Sequence, residues 1–278
     1  MSTVSSAQSR TTSVGETPPT CTVVALGVAI ELVIDDVVVR QPVLKLLVDI
    51  AAPTSSERDE VVKVTGSGPW RISSAAFDLD VHDVPATLSA VMTAINLTAI
   101  KRTTTLSFHC GVVARNGSAL VIPAVSGTGK TTLVTALLQR GWDYISDEAL
   151  CTSWDHLVAR PYPRPLALSA WSTQTLDVTG VRGANEVFVL PRDLGATLAG
   201  PSPVGHLIVL HRDDEAPRLA AVSPVEVAAE LLHRSFTHFQ NPPLALAHVA
   251  KLVSSATTHR LHLGDPRRAA DLLSERLV

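Results

Sequence analysis

The sequence predicts an α/β protein: a glycine-rich-loop domain preceded by a small β-rich domain. Three observations predict it. An apolar run at 118–123 leads into Ala-Val-Ser-Gly-Thr-Gly-Lys-Thr at 124–131, and an amphipathic segment follows at 130–140. Short strand-like and helix-like segments alternate over 105–160. Residues 21–82 instead carry β-like apolar runs separated by polar breaks.

The elements follow in order. Residues 1–20 are half Ser and Thr, end near Pro18-Pro19, and lack the apolar content to build a core, so a disordered tail is expected. Within 21–82, strands are expected at Val23–Ile34, Val37–Arg40, Val61–Val64 and Trp70–Phe77. Asp83 reads as an N-cap with Pro85 in the first turn, and Leu88, Val91, Met92 and Ile95 recur at helical spacing. That helix, 83–102, is expected to link the small domain to the main one at 103–278. There, Leu106–Ala114 and Ser118–Pro123 flank Asn116-Gly117, a strong hairpin turn. The helix after the loop should stop at Gly141. A strand at Trp142–Ser146 should end at Asp147-Glu148, and a hairpin should turn near Asp155-His156. Farther on come a strand at His206–His211, a capping box at Ser223–Glu226, a helix at Leu244–Val253, a strand at His259–Leu263 and a final helix from Asp265-Pro266.

Composition narrows the function classes. Net charge is −3, with only five lysines among 278 residues, which argues against a nucleic-acid or anionic-membrane partner. Cys21, Cys110 and Cys151 form no metal or disulfide spacing, which fits a reducing cytoplasm. The apolar stretch Val23–Ile34 is too short to span a bilayer.

The loop at 124–131 has the phosphate-loop pattern, with Ala124 where the first glycine usually stands. Ser126, Gly127, Thr128, Gly129, Lys130, Thr131 and Thr132 are the expected nucleotide-binding set. Backbone N–H groups would cradle the phosphates, Lys130 would reach the β/γ oxygens, and Thr131 would offer its hydroxyl to Mg²⁺. No Asn-Lys-x-Asp motif for reading guanine and no Leu-Ser-Gly-Gly transporter signature occurs. Asp147 lies soon after Lys130, at the end of the next strand. That spacing brings Asp147 and Glu148 back toward the γ-phosphate, where they could hold the metal or accept a proton from an attacking hydroxyl.

Ser107-Phe108-His109, the loop 126–131, Gln139-Arg140-Gly141 and Ile145-Ser146-Asp147-Glu148 together resemble the catalytic domain of HPr kinase/phosphorylase. The resemblance is closest to the HPr-kinase-like proteins of peptide-modification gene clusters. The loop also resembles that of ATP-dependent phosphoenolpyruvate carboxykinase. The resemblance implies an HPr-kinase/carboxykinase-type P-loop nucleotide domain, self-association into a homo-oligomer, and site roles. Asp147 would be the base that takes the proton from the acceptor hydroxyl, His109 would stand beside it, and Glu148 would assist with Mg²⁺. Two features depart from the family: Thr131-Thr132 follow where it has Ser-Glu, and its Glu-x-Arg-Gly segment is not found. Phosphorylase activity and recognition of HPr itself therefore do not follow.

Arg160 and Arg164, set among Pro161 and Pro163, are candidate phosphate or substrate contacts, as is Arg192. The function expected is transfer of the ATP γ-phosphate to a Ser or Thr hydroxyl of a small protein or ribosomally made peptide. A small-molecule alcohol kinase and a non-catalytic nucleotide-binding module are the alternatives.

Overall fold

The computed structural model describes residues 20–52, 58–125, 127–213 and 215–277. The Ser/Thr-rich tail, but for Thr20, and Ser126 lie outside the described residues.

The N-terminal unit begins with β1 (Thr20–Ala25) and β2 (Val28–Ile34), an antiparallel hairpin turning at Leu26-Gly27. Next come α1 (Val37–Leu46), β3 (Ala51–Ala52), β4 (Glu60–Thr65), β5 (Trp70–Ser73), β6 (Asp78–Val81) and α2 (Val84–Arg102). The strands form one six-stranded sheet, ordered β3-β1-β2-β4-β5-β6. Two sequence expectations change here. Val37–Arg40 is helix, not strand. The Asp36 carboxylate accepts from the Val38 N–H, and Val39, Val43 and Leu46 then bury one helical face. That burial outweighs the strand preference of three successive valines. The run Trp70–Phe77 breaks at Ser73, and Asp78 opens a separate strand.

The helix expected as a linker is part of this unit's core. Asp83 caps α2 through the Ala86 N–H, and Leu88, Val91, Met92, Ile95 and Ala99 pack with Ile30, Val62 and Ile72. Its best 18-residue window has a mean hydropathy of 1.2, and among the described residues α2 is the one helix long and apolar enough to cross a membrane. Half of that window is buried inside the protein, so packing accounts for its apolarity. The same core continues into Ala149, Cys151, Tyr162 and Phe188 of the second unit.

The second unit is built on β7 (Leu106–Arg115) and β8 (Ser118–Pro123). They pair from Cys110↔Pro123 to Arg115↔Ser118 around Asn116 and Gly117, both at positive φ, as a tight two-residue hairpin requires. Then follow α3 (Lys130–Leu138), β9 (Asp143–Ser146), β10 (Ala149–Ser153), β11 (His156–Arg160), β12 (Leu166–Leu168) and α4 (Ala170–Leu176). β13 (Val181–Arg182), β14 (Val187–Val189), a 3₁₀ turn (Pro191–Leu194), β15 (Ser202–His211), β16 (Arg218–Ala221), α5 (Pro224–His233), α6 (Pro242–Ser255), β17 (Thr257–His262) and α7 (Pro266–Arg276) complete it.

The main sheet runs β11-β10-β7-β8-β15-β17-β16, and a further β11–β15 pairing closes its first five strands on themselves. β15 lies parallel to both β8 and β17. Alternate residues face opposite layers: Val113, Leu120, Ile122 and Ile208 pack under α3 and α7, while Val112, Val121, Leu207 and Val209 pack under α5 and α6. Ser223 caps α5 by accepting from Val225 N–H. The reciprocal half of the expected capping box is replaced, because the Glu226 carboxylate pairs with Arg260.

Candidate functional site

One cavity of about 640 Å³ lies where the loop after β8, the turn after β9 and the β12–α4 connection meet. The loop forms its floor. Gly127 and Gly129 take φ values of 83° and 100°, a region that favours glycine. At Gly129 a side chain would also collide with Leu263, 2.7 Å from where Cβ would stand. Thr128 Oγ donates to the Val125 carbonyl at 2.7 Å, pinning the turn. α3 starts at once with no side-chain cap, so its first amides have no capping partner beside the cavity.

Lys130 is buried, and its stem lies against β7. A Cβ at Gly111 would stand 3.1 Å from Lys130 Cγ and 2.7 Å from Val134 Cγ2, so the strand glycine provides the room. Lys130 Nζ donates to the main-chain carbonyl of Asp147, tying the loop to the acidic turn. Thr131 lines the cavity. Thr132 turns its hydroxyl to Ser172 Oγ of α4 at 2.8 Å, leaving its backbone to the loop.

The acidic turn is held by its own chain. Ser146 Oγ accepts from the N–H groups of Glu148 and Ala149, at 3.2 and 3.0 Å. Asp147, only 3% exposed, donates its N–H to Tyr144 Oη at 3.0 Å. The one Tyr144 hydroxyl proton can go to Asp147 Oδ1 at 3.0 Å or to the Arg164 carbonyl at 2.9 Å. Burial, then the Asp147 charge, pushes the Tyr144 phenol well above its ordinary range, so it stays a donor. Asp147 Oδ2 carries no hydrogen bond among the described residues, and the residue lines the cavity.

Glu148, one residue on, has different partners. Arg164 Nη1 lies 3.1 Å from Oε2, while Asn96 Nδ2 donates to Oε1 at 2.9 Å and His109 Nδ1 lies 3.5 Å from it. Burial works against its charge, but the Arg164 guanidinium and then His109 overcome it and hold the carboxyl well below the usual range. Burial also opposes the charge of Arg164, and the carboxylates of Glu148 and Asp147 outweigh it and raise its pKa. Each Glu148 oxygen thus has a donor, so Glu148 ties together a cluster while lining the same cavity. His109, expected beside Asp147, contacts Glu148, because β7 pairs His109 with Ala149.

The three arginines separate. A tight turn about Pro163, with Arg164 N–H donating to the Tyr162 carbonyl at 2.9 Å, sends Arg164 into the cavity. Arg160 ends β11 in solvent and is not among the lining residues. Arg192, in the 3₁₀ turn, pairs with Asp49 of the N-terminal unit and is likewise outside the lining. Sequence reading missed Asn96, Gly111, Tyr144, Trp171, Glu186 and the Arg212-Asp213 rim. A glycine inside a strand opposite the loop was the one available signal; the others are brought in by long-range packing.

No family model and no curated protein matches the chain. The site's own chemistry therefore carries the reading. Thr131 Oγ and the carboxylates of Asp147 and Glu148 line one cavity with Lys130, and oxygen donors of this kind suit a hard cation such as Mg²⁺.

Proposed function

We propose that this protein is an ATP-dependent kinase that phosphorylates a Ser or Thr hydroxyl of a small protein or peptide. We infer an HPr-kinase/carboxykinase-type nucleotide domain in the second unit, and a cytoplasmic setting in which copies self-associate. The observation that carries the proposal is the meeting, in one cavity, of the phosphate-loop amides, the buried Lys130 and the Asp147 carboxylate.

In this reading the amides at the start of α3 bind the phosphates, and Lys130 leaves the Asp147 carbonyl to neutralise the β/γ oxygens. Thr131, assisted by Glu148, would hold Mg²⁺, which when bound screens the triphosphate charge. Asp147 Oδ2 accepts the proton from the acceptor hydroxyl as the Oγ–P bond forms and the bond from γ-phosphorus to the ADP oxygen breaks. Tyr144 fixes the carboxylate's other oxygen. The Glu148–Arg164–His109 cluster places the Arg164 guanidinium beside the cavity, suited to the developing charge on the phosphoryl oxygens.

Incubation with γ-labelled ATP and Mg²⁺, against a serine-peptide library, free serine and simple alcohols, tests this. Label on peptide that disappears in Lys130→Ala is the expected outcome. Label on small alcohols alone would move the assignment to a small-molecule kinase. ADP binding with no acceptor labelled would make the protein a nucleotide-binding module.

A further inference from the structure

The cavity has two rims beside the loop, drawn from different parts of the chain. One is Arg212, Asp213, Leu263, Gly264 and Pro266, with Leu263 against Gly129. The other is Trp171, Asn185 and Glu186. α2 supports the second rim and the acidic cluster together, since Ser89 bonds Glu186 and Asn96 bonds Glu148. In-line phosphoryl transfer puts the acceptor and the leaving nucleotide at opposite ends of the reacting axis. With Asp147 as base, the acceptor then enters along the Trp171–Glu186 rim and the nucleoside lies toward Arg212 and Leu263.

We propose that this rim is an acceptor-recognition site for a basic side chain, a Lys or Arg lying near the phosphorylated hydroxyl. The inference rests on the kinase reading above. The register Leu168↔Val187 brings the start of α4 and the segment before β14 to the same end of one strand pair. The Glu186 carboxylate is fixed there. Ser89 Oγ donates to Oε1, and the Asn185 N–H donates to Oε2 at 3.2 Å. The hairpin tip is pinned to α2, with Ala184 N–H donating to Ser89 Oγ at 2.8 Å. Gly183 is required for that approach, since a Cβ there would meet Glu186 Oε1 at 2.7 Å and Ser89 Oγ at 2.8 Å.

Glu186 thus has neutral hydrogen-bond donors and, among the described residues, no cationic partner, unlike Glu148 with its Arg164. Trp171, in the lining of the same cavity, is 57% exposed. An uncompensated carboxylate and an exposed aromatic ring in one lining are the chemistry that takes an ammonium or guanidinium. The Glu186 charge supplies the ion pair, and Trp171 covers the aliphatic stem and binds the cation through its ring.

The test uses the full chain, ATP, Mg²⁺ and serine-containing nonapeptides that carry one Lys, Arg, Gln or Glu at varied distance from the serine. Lys and Arg members should be labelled about tenfold faster than Glu members by the wild type. Glu186→Gln should flatten that ranking and Glu186→Lys should invert it. Trp171→Ala should raise the KM for basic peptides more than it lowers kcat, with Trp171→Phe restoring most of the loss. An unchanged ranking in the Glu186 variants overturns the proposal. Calorimetric ADP binding separates the failures. A wild type that binds no ADP overturns the nucleotide reading. One that binds ADP but labels no peptide overturns the peptide-kinase reading and this inference with it. One that labels all charges equally overturns this inference alone.

Discussion

The glycine-loop end of the cavity and its acidic end are assembled differently. The loop end is contiguous in sequence: it follows one strand and opens one helix, and Gly127 and Gly129, both at positive φ, shape it. The acidic end gathers Asn96 from α2, His109 from β7, Asp147-Glu148 after β9 and Arg164 after β11. Local conformation shapes the first, whereas the second needs segments distant in sequence and, through Asn96, the packing of the two units. Substitutions at the loop should therefore act on ligand binding, while those at the acidic end should act on chemistry and stability together.

Lys130→Ala should break the loop end most completely. A fall in phosphoryl transfer of about 10³-fold is expected, with ADP binding lost in calorimetry and the melting temperature little changed. Unaltered ADP affinity would show that the loop does not bind phosphates. Asp147→Asn sharpens the contrast: transfer should fall about 10²-fold while ADP still binds, and full activity would remove Asp147 as the base.

Glu148→Gln probes the structural half of the acidic end. It leaves the largely buried Arg164 without its ion-pair partner, so unfolding in urea should show a loss of about 3 kcal/mol. The depressed pKa of Glu148 also fixes the sign of the pH effect. Its stabilisation is fully present above the ordinary glutamate pKa of about 4.3 and is lost as pH falls below it toward the folded value. Wild type and Glu148→Gln should therefore converge in stability as the pH is lowered through the acid range, and a gap that widens there would contradict the assignment. The smallest effects belong to Arg160→Ala and Arg192→Ala, which lie off the cavity. ADP affinity should stay within about twofold in both, and a tenfold loss in either would redraw the site.

The same contrast explains what could be read from the sequence. The loop, its flanking strand and helix, the Asn116-Gly117 hairpin and the caps at Asp83, Ser223 and Asp265 are short-range signals, and each stands where the sequence put it. Asp147 and Glu148 could be located by their distance from Lys130, but not told apart. Their separation comes from Tyr144 on one side and from Arg164, Asn96 and His109 on the other. Val37–Arg40 misled because three valines favour a strand until Asp36 caps a helix whose other face finds a core. Arg160 and Arg164 look equivalent between prolines, and only the turn about Pro163 distinguishes them.

α2 carries a consequence for descent. Ser89 and Asn96 stand seven residues apart on one helix, the first holding Glu186 and the second Glu148. Each is a contract between two parts of the chain that cannot be renegotiated on one side alone. Lineages that exchange the N-terminal unit, or alter what the cavity accepts, should therefore change residues 89 and 186, or 96 and 148, in concert. The break point between inherited pieces should fall after Arg102, not before Asp83.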